Sequence, residues 1–474
     1  MLKPIHPTNL LKSSALAVAS MAATLTPAAA ELSKAERDMI VRRSCELAIW
    51  GLPAVAAYDI ELAIQRDAGA KPGTVAFMTK PMDSRHGFLT ANDVTPYVFA
   101  GVPLGGKPIV IEVPPRGEKA QLFGTIINAW QRPLADVGPS GDDAGKGGKY
   151  LVVPPNYEGE IPSEGYLVVQ CDTAAAHFAF RPVARNGGSS DDQAAYAKTL
   201  KVYPYGKPEA AWPFVDVYKK PINTLPVYDW TFFTDLNSAM QRELPLKHDY
   251  AMTGLMASIG IVPGKPFAPD EETKAAMLEG LQQAYDYLQN GFIRDGGSLK
   301  RLWDDRQHGT FNFPLEQAKL GLPFIDETGL MIDKRALMYF YVTYLPKTLG
   351  GGTYYISGLR DADGELLNGK DTYRLKVPAD TPAEDFWSVI VYSMKTKGFV
   401  EDAERVGLAS TNKESMVVND DGTVDIYFAP KAPEGKENNW IPTGEDWFIL
   451  FRLYGPKKGW FESGWKLPDI EKIN

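Results

Sequence analysis

Two stretches of this chain, one from Pro96 to Phe180 and one beginning after Gly352, are written in short β-branched and aromatic runs broken by Gly and Pro. That punctuation confines both to sheets of short antiparallel strands. In the first stretch the runs are Ile109 to Val113, Leu122 to Trp130, Tyr150 to Val153 and Tyr166 to Gln170, a texture that predicts a sheet closing on itself like a barrel. In the second they are Tyr354 to Leu359, Tyr373 to Val377, Phe386 to Met394, Thr423 to Phe428 and Trp447 to Tyr454, with turn pairs Asp363-Gly364, Asn368-Gly369 and Asp421-Gly422 between them. Such spacing predicts a sandwich or jelly roll.

Between the two blocks the apolar residues change period. Met277, Leu278, Leu281, Tyr285 and Leu288 fall on one helical face, Asp270 is placed to cap it, and Asn290-Gly291 supplies a stop. Leu255, Met256 and Ile259 predict a further helix before Pro263, and Asp192 to Lys201 a short one after the polar loop at 186–193. Near the start, Ser33 and Glu36 have capping-box spacing, and Met39, Ile40, Leu47 and Trp50 predict a helix that ends at Gly51 and Pro53. The fold class expected is therefore α+β and mainly β: a β-barrel-like domain over 31–225, helices over 226–345 and a jelly roll over 346–474.

Residues 1–30 read as a cleavable export signal, with Lys3 and Lys12 ahead of an uncharged stretch and Ala28-Ala29-Ala30 before Glu31. The apolar run is shorter than the roughly 20 residues of a spanning helix, so a periplasmic or secreted protein is expected rather than a membrane-spanning one. Without Lys3 and Lys12 the chain has 48 basic and 59 acidic residues, a net charge of −11. That balance excludes nucleic acid and anionic membrane as expected partners, because both need a basic face. Cys45 and Cys171 are the only cysteines; outside the cytoplasm they could form one bridge worth about 4–5 kcal/mol in the loop-entropy picture, or remain two buried thiols.

The motif GKENNWIP at 435–442, followed by FRLYGPKKG at 451–459, resembles the domain of unknown function 1214, as do FWSVIVYSM at 386–394 and DGTVDIYF at 421–428. In the first half, TANDVTPYVF at 90–99, PIVIEVPP at 108–115 and NAWQRPLADVG at 128–138 are similar to the companion domain of unknown function 1254. The resemblance implies a barrel-like first domain, a jelly-roll second domain and helices between, in proteins often exported by bacteria. It implies no settled activity. The chain departs from the first-domain pattern where an Asn-Asp-Thr-x-Tyr-like run stands here as Asn92-Asp93-Val94-Thr95-Pro96-Tyr97.

Few catalytic motifs are present. His86, His177, His248 and His308 are far apart in sequence, with no paired-histidine or Cys-x-x-Cys spacing, so neither a metal nor another cofactor is expected. Gly138-Pro139-Ser140-Gly141 is not a nucleophile elbow, and AGKGGK at 144–149 lacks the spacing of a phosphate-binding loop. Paired carboxylates are the one chemistry the composition supports, since glycoside hydrolysis needs two acids across a cleft. Glu437 and Glu445 flank Asn439 and Trp440, a grouping that suits sugar, although Glu437 and Asn439 could equally hold the loop while Trp440 plugs the core.

In the first domain Asn92, Asp93, Tyr97, Asn128, Trp130, Gln131 and Arg132 form a polar and aromatic set at strand ends. Strand alternation would put Asn128, Trp130 and Arg132 on one face with Gln131 opposite. Three readings follow: binding of a carbohydrate-like or amphiphilic small ligand, a carboxylate-dependent hydrolase of glycans or related polymers, and a surface assembly module. The oligomeric state is open at this level.

Overall fold

The computed structural model describes residues 31–243, 245–313, 315–348, 352–412 and 415–473. The expected leader at 1–30 lies outside the described residues. The described chain is mainly β, with four helices packed around the first and a short one, Ser190–Ala197, lying on the first sandwich.

The first helix is Lys34–Arg66, opened by the expected capping box: the Ser33 hydroxyl accepts from the Glu36 amide and the Glu36 side chain accepts from the Ser33 amide. It does not stop at Gly51 and Pro53 but continues for 33 residues in all. Packing overrides the local signal here. Gly51 sits where a Cβ would come within 2.8 Å of Leu236, and Arg335 donates to the Trp50 carbonyl at 3.0 Å, beside the gap in the ladder that Pro53 leaves. The helix is long and apolar enough to cross a membrane, yet 89% of its most apolar stretch is buried inside the protein. It is a core helix, packed against the helices Trp230–Met240, Glu271–Ile293 and Ile332–Tyr339. Asp270 caps the second of these by accepting from the Thr273 amide at 2.8 Å, and that helix runs two residues past Gly291.

Residues 75–216 form two sheets. Six strands run in the order Phe214–Asp216, Val75–Phe77, Val98–Pro103, Ala175–Ala184, Ala120–Asn128 and Pro133–Val137. Four more run Leu167–Gln170, Gly148–Val153, Ile109–Val113 and Lys201–Pro204. Alternation sends Val98, Ala100, Phe178 and Phe180 of the larger sheet and Ile109, Ile111, Tyr150 and Val152 of the smaller into one shared core. Among the described residues the two sheets remain open at their edges, so the domain is a sandwich and not a closed barrel. Pairing is antiparallel except at two edges, where 75–77 meets 214–216 and 150–153 meets 167–170 in parallel.

The C-terminal part repeats the plan. A six-stranded sheet, Leu299–Arg301, Gly309–Phe311, Thr353–Gly358, Trp447–Pro456, Ala383–Ser393 and Gly407–Ala409, faces a four-stranded one, Trp440–Pro442, Val424–Ala429, Tyr373–Val377 and Glu471–Lys472. Trp447, Ile449, Phe451 and Leu453 point into the sandwich, while Phe448 and Leu450 join the helical core outside it. Cys45 and Cys171 are free thiols. Cys171 rests on the Thr173 hydroxyl at 3.3 Å, and burial pushes its pKa up to about 11.

Candidate functional site

Each six-stranded sheet turns one face inward to its own sandwich and the other toward the rest of the molecule. On the Trp447–Pro456 strand, residues 452 and 454 continue the outward register of Phe448 and Leu450 and carry Arg452 and Tyr454. On Ala175–Ala184, residues 177, 179 and 181 alternate with the core residues 176, 178 and 180, so His177, Ala179 and Arg181 point outward. The segment Thr90–Tyr97, which leads into the Val98–Pro103 strand, bridges the two faces.

That loop is held chiefly through its backbone. Arg452 Nη2 donates to the carbonyls of Thr90 at 2.8 Å and Ala91 at 3.1 Å, and it also meets the Tyr392 hydroxyl at 2.7 Å. Tyr392 donates in turn to the Ala91 carbonyl. The Thr90 amide donates to the Lys397 carbonyl at 2.8 Å. Asn92 Oδ1 takes the Val94 amide at 2.9 Å and the Tyr454 hydroxyl at 3.2 Å, and its Nδ2 donates to Thr95 at 2.8 Å. A polar loop of the first sandwich is thus docked on the outer face of the second.

Around this joint gather tyrosines and charges. Asp93, Tyr97, Arg181 and Tyr355 each keep some accessible surface. Desolvation is nevertheless strong: it raises Asp93 to about 6, opposed by the Arg452 charge, and it raises Tyr97 against the pull of Arg181 and Arg452. Burial also opposes the charge on Arg181, but Tyr97, Tyr355 and Tyr454 beside it outweigh that and hold its pKa above the ordinary value. The Arg452 guanidinium lies 5.4 Å from the Tyr355 ring centre and 5.8 Å from that of Tyr392. Tyr355 stacks on Phe311, and Tyr454 on Phe386 at 4.1 Å. Asp93 Oδ1, Arg452 Nε and Arg452 Nη1 are buried without a hydrogen-bond partner.

Three residues singled out in the sequence, Asn92, Asp93 and Tyr97, therefore come together here. Asn128, Trp130 and Arg132 do not join them. Residues 129–132 are a hairpin turn rather than a continuing strand, so the expected alternation fails there, with Gln131 in the left-handed region at φ 61°. Asn128 Oδ1 accepts from the Trp130 and Arg132 amides, Arg132 pairs with Asp172 at 2.8 Å, and Trp130 is buried against Trp50 at 4.6 Å.

In the second domain, buried Asn439 bonds the Val417 amide and the carbonyls of Val417 and Asp425, and Trp440 Nε1 donates to the Ala429 carbonyl at 2.8 Å. Glu437 and Glu445 are exposed, before and after the short strand Trp440–Pro442, and Glu437 accepts from the Gly435 amide. Among the described residues, no three His, Cys, Asp or Glu side chains are grouped to hold a metal.

Sequence reasoning missed Arg181, Tyr355, Tyr392, Arg452 and Tyr454. A signal existed for one of them: Arg452 interrupts WFILFRLY, an otherwise uncharged strand at 447–454. A charge in such a run has to face something other than the sandwich core.

Comparison with solved structures shows a similar fold in the VPA0106 protein from Vibrio parahaemolyticus, at 16% identity and a TM-score of 0.53, covering 92% of this chain and 100% of that one. A second structure, of an uncharacterized protein from Burkholderia cenocepacia, matches at 12% identity and a TM-score of 0.37, covering 92% and 95%. No curated protein matches the chain. Two family models do: protein of unknown function DUF1254 over residues 72–204 and protein of unknown function DUF1214 over residues 352–458. The first span supplies Asn92, Asp93, Tyr97 and Arg181 and the second Tyr355, Tyr392, Arg452 and Tyr454, and the chain belongs to the family that joins an N-terminal DUF1254 domain to a C-terminal DUF1214 domain.

Proposed function

We propose that this protein binds a small hydroxylated or amphiphilic ligand, carbohydrate-like in character, in a recess between its two sandwiches. One observation carries the reading. Asp93 Oδ1 and Arg452 Nε and Nη1, contributed by different sandwiches, are buried and unpaired beside the accessible surfaces of Tyr97, Arg181 and Tyr355. Folded proteins pair nearly all such groups, and a bound molecule supplies the missing partners. Tyrosine rings suit the C–H surface of a sugar or an alkyl chain, while the guanidinium, carboxyl and phenol groups suit its oxygens. The reading takes the expected leader at face value and places the site in the periplasm or outside the cell.

The test is a thermal-shift and calorimetric screen of the full chain without its leader, using maltose, glucuronate, octyl glucoside and octanoate. At least one should give saturable stabilisation that grows with concentration, and Tyr355→Ala should weaken it. No stabilisation by any of the four removes the reading.

A further inference from the structure

We infer that the ligand of this recess is an acid, whose anionic group lies between Arg181 and Arg452. The inference rests on the binding reading above and narrows it to a chemical class.

It comes from a charge count. Guanidinium groups stay protonated in proteins, so Arg181 and Arg452 bring two positive charges to one recess. Strand register brings them to one place: Val98 pairs with Phe180 in the antiparallel ladder, which sets Arg181 beside Tyr97 at the end of the 90–97 loop, and Arg452 holds the start of that same loop at Thr90 and Ala91. The groups acting most strongly on Arg181 are three tyrosines and Arg452, none of them a carboxylate. Asp93 is the carboxylate set against Arg452. Even with Asp93 ionised the recess keeps a positive charge that none of these groups balances, in a chain whose overall charge is −9.

Leaving a charge desolvated without a counter-charge costs several kcal/mol, and an oxyanion accepting from two guanidinium groups removes that cost. The fork of Arg452 has the donors for it: Nη2 is committed to the Thr90–Ala91 loop, while Nε and Nη1 are unpaired. A neutral sugar would fill the space and leave the charge unanswered.

Asp93 sets the pH behaviour. It faces Arg452 from the Trp447–Pro456 strand and Tyr392 from the Ala383–Ser393 strand, close to the backbone at Gly407, and Tyr97 and Tyr454 complete the group. As an anion it competes with the ligand for Arg452. With its carboxyl raised to about 6, that competition fades as the pH falls from 7.5 to 5.5, and an acid that stays ionised over this range binds more tightly.

Matched pairs test the inference by calorimetry: glucuronate against glucose, and octanoate against octanol. The acid of whichever pair binds should be tighter by at least about tenfold at pH 7.5. Arg181→Gln, whose urea midpoint checks its folding, should bring that ratio to near one, the acid losing more affinity than its neutral partner. Asp93→Asn should abolish the gain in acid affinity between pH 7.5 and 5.5. If the neutral member binds as well as the acid, or Arg181→Gln keeps the preference, the acid class is wrong while binding in the recess stands. If no member of either pair binds, the acid class falls, and the binding reading falls with it when maltose and octyl glucoside fail as well.

Discussion

Gly280 lies in the middle of the Glu271–Ile293 helix, where replacing glycine by alanine ordinarily stabilises by about 1 kcal/mol. Here the sign should reverse. A Cβ at 280 would stand 2.3 Å from the Val41 carbonyl oxygen, 2.8 Å from Ser44 Cβ and 2.9 Å from the Cys45 amide nitrogen. Carbon and carbonyl oxygen approach to about 3.3 Å at closest in ordinary contacts, so the two longest helices must separate by roughly 1 Å. The obstacle includes backbone, which cannot rotate away. Overpacking of this kind costs about 1–3 kcal/mol, and the same shift loosens Met277, Leu281, Ala284 and Leu288 in the helical core. Taking about 3 kcal/mol for the clash and subtracting about 1 kcal/mol of helix propensity leaves Gly280→Ala near 2 kcal/mol less stable. Urea unfolding followed by tryptophan fluorescence should show a lower midpoint at unchanged slope. Gly254→Ala is the control: it is in the Tyr250–Ser258 helix with nothing within 4 Å of the added carbon, so it should be neutral or stabilising. A Gly280→Ala protein as stable as the parent would refute the close crossing.

His177 is buried with neither ring nitrogen bonded, and burial, aided by Arg242, lowers its pKa to about 3. An unfolded chain takes that proton near pH 6.5, so stability is complete above 6.5 and lost as the pH falls toward 3, by about 2 kcal/mol at pH 5. His177→Leu should flatten this acid limb in melts at pH 8 and pH 5, and an equal loss in both proteins would contradict it. Asn439→Ala breaks three hydrogen bonds that hold the 417 and 425 backbones and should cost about 2–3 kcal/mol in urea. The exposed changes Glu437→Gln and Glu445→Gln should stay within about 0.5 kcal/mol of the parent.

Residues that satisfy their needs locally were the legible ones. Ser33 and Asp270 cap their helices because caps depend on three or four neighbouring residues. The Ile109–Val113 strand keeps its expected bounds because Gly and Pro delimit it. The stop at Pro53 failed because its rescue comes from Leu236 and Arg335, far along the chain. Half the recess was legible for the same reason: Asn92, Asp93 and Tyr97 are one short polar run before a strand. Their partners Arg181, Arg452 and Tyr454 lie up to 362 positions away; pairing with the next strand of the same sheet brings Arg181 near, and only the docking of the second sandwich brings Arg452 and Tyr454.

Arg452 grasps residues 90 and 91 by their carbonyl oxygens, which every amino acid possesses. That grip asks nothing of the two side chains, although the Thr90 hydroxyl adds a bond of its own to the Tyr341 carbonyl at 2.8 Å and Ala91 is packed in the helical core. The burden falls on Arg452 together with the Tyr392 hydroxyl and the Lys397 carbonyl. Relatives with the same junction are better sought by a lone basic residue in the last long strand than by the spelling of the loop it holds.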